Sequence, residues 1–318
     1  TNGRLITRDS EGKGYYEHGA VAYEGANIVE VGEEAALRAK YPQAEIIDAK
    51  GGVIMPALIN AHTHIYSALA RGLSIVGNNP TNFYEVLDGT WWAIDRHLMM
   101  DGTRASATAL YMDSIKQGVT TVFDHHASYG EIPGTLHTIA EESKRLGLRS
   151  CLCYEVSDRD GEEKCLQAIK ENADFITECE QRKDPMLAAM FGGHALFTIS
   201  DKTFDRMVEA NNGRTGYHIH VSEGMNDVYD SLQNYGRRPV QRLQDHGILG
   251  EKTILGHCIH VNTAEMEIIK ETNTMVVNNP ESNMGNAIGI CPVLQLYKRG
   301  ILLGMGTDAY TNDMLESI

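Results

Sequence analysis

From residue 57 onward, short β-rich segments alternate with amphipathic helical ones, which restricts the chain to architectures built from βα units around a parallel sheet. Predicted strands cover residues 57–62, 119–124, 149–156, 187–194, 216–221, 253–257, 274–278 and 301–307. Helical patterning fills residues 101–117, 134–146, 162–180, 201–211, 239–245, 263–271 and 292–298. Several of these helices open on Asp, Ser or Thr and close near Gly, as capped helices do. Eight strands with intervening helices predict an α/β fold of the (β/α)8 TIM-barrel type over residues 56–318. A chain of 318 residues can build such a barrel around one large core.

Ahead of the barrel, residues 20–23, 28–31 and 44–47 read as short β runs, so residues 1–55 are expected to begin a small β-sandwich-like domain. Pro56-Ala57 then bends the chain into the first barrel strand. Composition narrows the partners. A formal charge of -15 repels phosphate backbones, and the longest basic run is Arg237-Arg238, which excludes a nucleic-acid surface and favours a small-molecule substrate. No stretch approaches the roughly 18 apolar residues of a membrane helix. The six cysteines lack CxxC pairing and the opening Thr-Asn-Gly-Arg-Leu-Ile lacks signal-peptide character, so a reducing, cytoplasmic compartment is expected.

Barrel enzymes build their sites at the C-terminal ends of the strands, and there the histidines gather. His62 and His64 end the first strand two residues apart, which puts both imidazoles on one face, able to grip one ion; a merely polar strand end is the competing reading. The fifth strand ends on His218, His220 and then Glu223, the sixth on His257 and His260, and Asp308 follows the eighth. If the barrel closes, three histidines and one aspartate can surround a divalent cation with a position left for water. His218 reads as a supporting residue and His260 as structural, while His125 and His126 follow the second strand as either pocket or loop. Trp91 and Trp92, placed on a long loop after the first strand, either stack on a planar heterocycle or pack in the core.

Taken in order, Pro56 to His64, His220-Val-Ser-Glu223, Gly256-His257-Cys258, Asn279-Pro-Glu-Ser-Asn283 and Gly306-Thr-Asp308 resemble the amidohydrolase superfamily. The likeness is to its aminohydrolases grouped with s-triazine chlorohydrolases, guanine deaminase and S-adenosylhomocysteine deaminase. Trp91 to Arg96, Asp124 to Ser128 and His194 to Thr198 are similar to the SsnA-type branch of that group.

The resemblance implies that His62, His64, His220 and Asp308 hold one divalent ion, zinc or alternatively iron(II). The fourth strand carries no lysine of the kind that bridges two ions in binuclear members of the superfamily. It further implies that Glu223 shuttles the proton and that His257 sits beside the reactive water. His194, with Trp91, is expected to line the substrate pocket. The implied reaction is deamination of a purine, pyrimidine or related heterocycle. Hydrolysis of a cyclic amide or C–halogen bond, or a metal-binding barrel without turnover, are the alternatives. Relatives form homo-oligomers and continue past the last strand, so a missing C-terminal part is expected here.

Overall fold

The structure is a computed structural model describing residues 1–10 and 12–318. It divides into two compact units, Thr1–Leu58 and Ile59–Ile318.

In the first unit β1 (Gly3–Ile6), β2 (Tyr15–Glu24), β3 (Asn27–Glu33) and β4 (Val53–Ile54) form one sheet in the order β3-β2-β1-β4, antiparallel except for β1 with β4. The β2–β3 hairpin turns through Gly25 at φ +58°, a conformation that suits glycine at the first position of a two-residue loop. Residues 44–47, expected as a strand, follow the helix Glu34–Lys40 without joining the sheet. Their end is tied only at Thr1, whose amino group donates to the Ile47 carbonyl at 2.9 Å. Alternation of apolar residues marked an extended segment there but could not supply it with a ladder partner.

The second unit is a ring of parallel strands. β5 (Leu58–Thr63), β6 (Val119–His126), β7 (Arg149–Tyr154) and β8 (Leu187–Ala189) form one sheet. The other runs through β9 (Phe191–Ala195), β10 (Tyr217–Val221), β11 (Ile254–His257), β12 (Met275–Asn278) and β13 (Leu303–Met305). Bridges Val156↔Gly193 and Thr63↔Asp308 join the two sheets at both margins, and the barrel closes. At the second seam the His62 carbonyl accepts from the amides of Thr307 and Asp308, each at 3.0 Å. Helices on the outside, among them Met100–Lys116, Thr135–Leu146, Glu162–Arg182 and Asp201–Asn211, leave strands such as β7 and β10 buried on both faces, as parallel strands are.

Three departures from the sequence expectation have identifiable causes. The fourth strand breaks at Met190 into β8 and β9, because β8 pairs with β7 and β9 with β10. Asn172, from the helix Glu162–Arg182, spans the gap: its Oδ1 accepts from the amides of Tyr154 and Gly192 at 2.9 and 3.1 Å, and its Nδ2 donates to the Tyr154 carbonyl at 2.8 Å. A Cβ on Gly192 would lie 2.3 Å from that carbonyl oxygen, so glycine is required. Trp91 and Trp92 sit in consecutive helical turns spanning Phe83–His97, with a π turn over Leu87–Trp91, and not in an open loop. The helix Met225–Tyr235 was not anticipated either. Among the described residues, no helix is long and apolar enough to cross a membrane.

Candidate metal centre and active site

Four strand ends deliver the donors: β5 carries His62 and His64, β10 carries His220, β11 ends at His257, and Asp308 follows β13. His64 Nδ1 lies 2.6 Å from the His125 carbonyl oxygen and His220 Nδ1 2.7 Å from that of His194. A carbonyl oxygen only accepts, so each Nδ1 carries a hydrogen and the neutral rings present bare Nε2 lone pairs to the interior. Those Nε2 atoms stand 3.2 Å apart, and Asp308 Oδ1 is 2.9 Å from that of His64. Such a set of acceptors is stable only with a proton or a cation among them. Ligands about 2.1 Å from a tetrahedral zinc stand about 3.4 Å apart, so the spacing suits a small divalent ion.

His62 completes the set. Its Nδ1 is 2.8 Å from His218 Nε2, while its own Nε2 is buried without a hydrogen-bond partner, 3.7 Å from Asp308 Oδ1. The electrostatics match. Burial drives the His62 imidazole down to about 3 despite the neighbouring Asp308. Burial opposes a charge on His64 as well, but the hydrogen bond and charge of Asp308, with Glu155, prevail and raise it to about 9. Burial works against the Asp308 carboxylate too, and the His62 and His64 contacts outweigh it, holding the group well below the usual range. The donor set thus favours positive charge at its centre, where the same residues would hold a cation.

Beside this centre, His257 Nδ1 donates to Asn283 Oδ1 at 2.8 Å, leaving Nε2 as an acceptor 3.6 Å from Glu223 Oε1 and 3.7 Å from Asp308 Oδ2. Burial first, and Asp308 second, push the Glu223 carboxyl well above its ordinary range, which favours its protonated form. Ser282 donates a short hydrogen bond to Asp308 Oδ2. Ser222, His257, Cys258 and Asp308 all adopt left-handed backbone conformations, with φ of +50°, +67°, +49° and +54°. Outliers of this kind cost roughly 1–3 kcal/mol each and cluster where a site demands a particular side-chain direction.

A cavity of about 30 Å³, room for a water-sized group, opens over the centre. His194 and Trp91, expected in the substrate pocket, line it, and so do Trp92, Tyr66, Phe83 and Glu155. The aromatic wall is fastened by two crossed ion pairs, Asp95 with Arg159 and Arg96 with Asp160, the latter at 2.7 Å. The guanidinium of Arg159 also lies 5.0 Å from the Trp92 ring. His125, His126 and His218 lie behind the cavity lining. His260 Nε2 donates to the Ile288 carbonyl at 2.9 Å. Glu155, Ser282, Asn283 and Tyr66 were not assigned roles from sequence. Glu155 directly follows the third strand, so the strand-end rule that selected the histidines also pointed to it.

Residues 53–318 match the model of the Amidohydrolase family. The chain belongs to the amidohydrolase family. Within the first unit, residues 19–44 match an imidazolonepropionase-like composite domain of bacteria. Among curated relatives, the 5'-deoxyadenosine deaminase of Methanobrevibacter smithii is 33% identical over 276 residues, covering 86% of this chain and 61% of that protein. The 5-methylthioadenosine/S-adenosylhomocysteine deaminase of Pelotomaculum thermopropionicum is 30% identical over 311 residues, covering 96% and 69%. This amidohydrolase therefore spans less than two thirds of the first relative's length. A crystal structure of an adenosine deaminase from Xanthomonas campestris with bound zinc superposes with a TM-score of 0.80 at 24% identity, over 99% of this chain and 71% of that one, a likeness of fold.

Proposed function

We propose that this amidohydrolase is a metal-dependent aminohydrolase that releases ammonia from a purine, pyrimidine or related heterocycle. The observation that carries the reading is the meeting of His62, His64, His220 and Asp308 at the strand ends, with Glu223 and His257 beside them. His62, His64, His220 and Asp308 are the residues that would hold the ion; zinc is favoured by three imidazoles and one carboxylate at tetrahedral spacing, with iron(II) as the alternative. Such an ion lowers the pKa of a bound water to about 7, which supplies the nucleophile at neutral pH.

The chain's own groups account for the proton movements. The Nε2 lone pair of His257, fixed by Asn283, accepts a hydrogen bond from the attacking water and orients it toward the substrate carbon. Asp308 takes the proton that the water loses. Glu223 delivers its proton to the ring nitrogen beside the reacting carbon, which neutralises the charge that develops there on attack. Collapse of the tetrahedral carbon then breaks the C–N bond, the amine leaves as ammonia with the proton from Asp308, and Glu223 takes back the hydroxyl proton as C=O replaces C–NH2. Trp91 and His194 form the wall against which a planar ring would lie.

The relatives' names support a nucleobase-containing substrate. Six free thiols among the described residues support a reducing, cytoplasmic setting, and a homo-oligomer is the assembly expected for it. The test is metal content measured with ammonia release from purines, pyrimidines, their nucleosides and aminotriazines. About one zinc or iron per chain with ammonia from any of these supports the reading. An ion-free folded protein would refute it.

A further inference from the structure

The carboxylate of Glu155 is not used by the chemistry above, although it is buried in the wall of the same cavity. Its two oxygens differ. Oε1 is 3.0 Å from His125 Nδ1, and His125 is itself anchored by Nε2, which donates to the carbonyls of Gly193 and His218 at 3.0 Å each. Oε2 makes no hydrogen bond among the described residues, and its near neighbour is His194 Nε2 at 3.9 Å. That nitrogen is an acceptor too. Thr198 Oγ1 donates to the Ala195 carbonyl at 3.0 Å, so it accepts from His194 Nδ1 at 2.8 Å, which places the ring hydrogen on Nδ1 and leaves Nε2 bare. Two acceptors thus face the cavity with no donor from the described residues between them, an arrangement that suits an incoming donor.

We propose that Glu155 is a specificity-determining residue whose Oε2, with His194 Nε2, receives an N–H group on the substrate ring. Its place in the site fixes which part of the substrate it reads. Glu155 Oε1 lies 3.5 Å from His64 Nδ1, beside a metal-centre imidazole, so the carboxylate addresses the reacting end of the ring and not a distant substituent. The favoured substrate is an amino-lactam heterocycle, in which a ring N–H flanks the carbon that bears the departing amine. An adenine nucleoside presents only acceptor nitrogens around its ring, and the two acceptors of the pocket repel them. The inference rests on the deaminase reading and narrows its substrate class away from the adenine nucleosides in the relatives' names.

The test is binding of 9-methylguanine and 9-methyladenine to the metal-loaded, full-length protein, with ammonia release followed in parallel. The wild-type protein should bind 9-methylguanine roughly 10- to 100-fold more tightly, the yield of one hydrogen bond to a charged acceptor. Glu155→Gln, which replaces one acceptor oxygen by a donor, should bring the two bases near parity with metal content unchanged. Glu155→Asp, which keeps the carboxylate, should preserve the order of preference, and it serves where the glutamine variant does not fold. Equal or tighter wild-type binding of 9-methyladenine, failure to bind either base, or an equal loss for both bases in Glu155→Gln would overturn the assignment. If the preference holds without ammonia from either base, the specificity stands and the deaminase reading falls; if ammonia is released without preference, the reverse is true.

Discussion

The barrel interior holds two sets of imidazoles that are alike in residue type and burial and unlike in what their nitrogens meet. In one set, His62 Nε2 is buried without a partner among the described residues, while the Nε2 atoms of His64 and His220 lie 3.2 Å apart and that of His64 lies 2.9 Å from Asp308 Oδ1. Behind them, His125 has both nitrogens bonded, to Glu155 and to two backbone carbonyls, and His218 uses Nε2 to accept from His62 Nδ1. All five are at most 5% exposed, so burial does not separate them. A histidine becomes a candidate ligand when its far nitrogen is tied to an acceptor and its near nitrogen is left bare. The inner set supplies that tie: His125 through its carbonyl to His64, and His218 through its ring to His62.

The sharpest way to break this contrast is to replace His62 and His64 together by alanine, which should abolish metal binding and with it turnover, since too few ligands remain. Metal analysis of the purified double variant decides it; undiminished content would place the ion elsewhere. Next in size, Glu223→Gln should keep the metal and lose 10²- to 10⁴-fold in kcat, the usual contribution of a positioned proton donor. Near-normal turnover would remove Glu223 from the proton path. His218→Asn tests the inner set directly. Removing the acceptor behind His62 should weaken metal affinity about 10- to 100-fold while leaving the ligands in place, as competition with a chelator would show. An unchanged affinity would make the inner layer mere packing. The smallest effect belongs to His260, whose ring donates to the Ile288 carbonyl. His260→Ala should leave metal content unaltered and cost about 1 kcal/mol in thermal or denaturant unfolding; loss of metal there would erase the distinction between the two sets.

The sequence made the eight-strand alternation legible because parallel strands buried on both faces read as short apolar runs between helices. It also pointed to the strand ends, where the structure brings His62, His64, His220, His257, Glu223 and Asp308 together. Other features depend on contacts across long separations. The break of the fourth strand depends on Asn172, a helix residue whose side chain replaces ladder bonds, and no periodicity announces that. The helical setting of Trp91 and Trp92 is stabilised by Asp95 and Arg96 reaching Arg159 and Asp160, partners more than sixty positions away. Glu155 directly follows β7, and the rule about strand ends applies to its carboxylate as it does to the imidazoles.

The seam between the first and last barrel strands has a consequence for how the protein is made. Thr63 Oγ1 donates to the Asp308 carbonyl across 245 positions of sequence. A chain emerging from the ribosome therefore exposes His62, His64 and His220 well before Asp308 has been synthesised. An ion captured during that interval meets neutral nitrogen donors without the acid that neutralises it. The Asp308 amide must reach the His62 carbonyl before the ring closes, so ring closure and completion of the proposed ligand set are the same event.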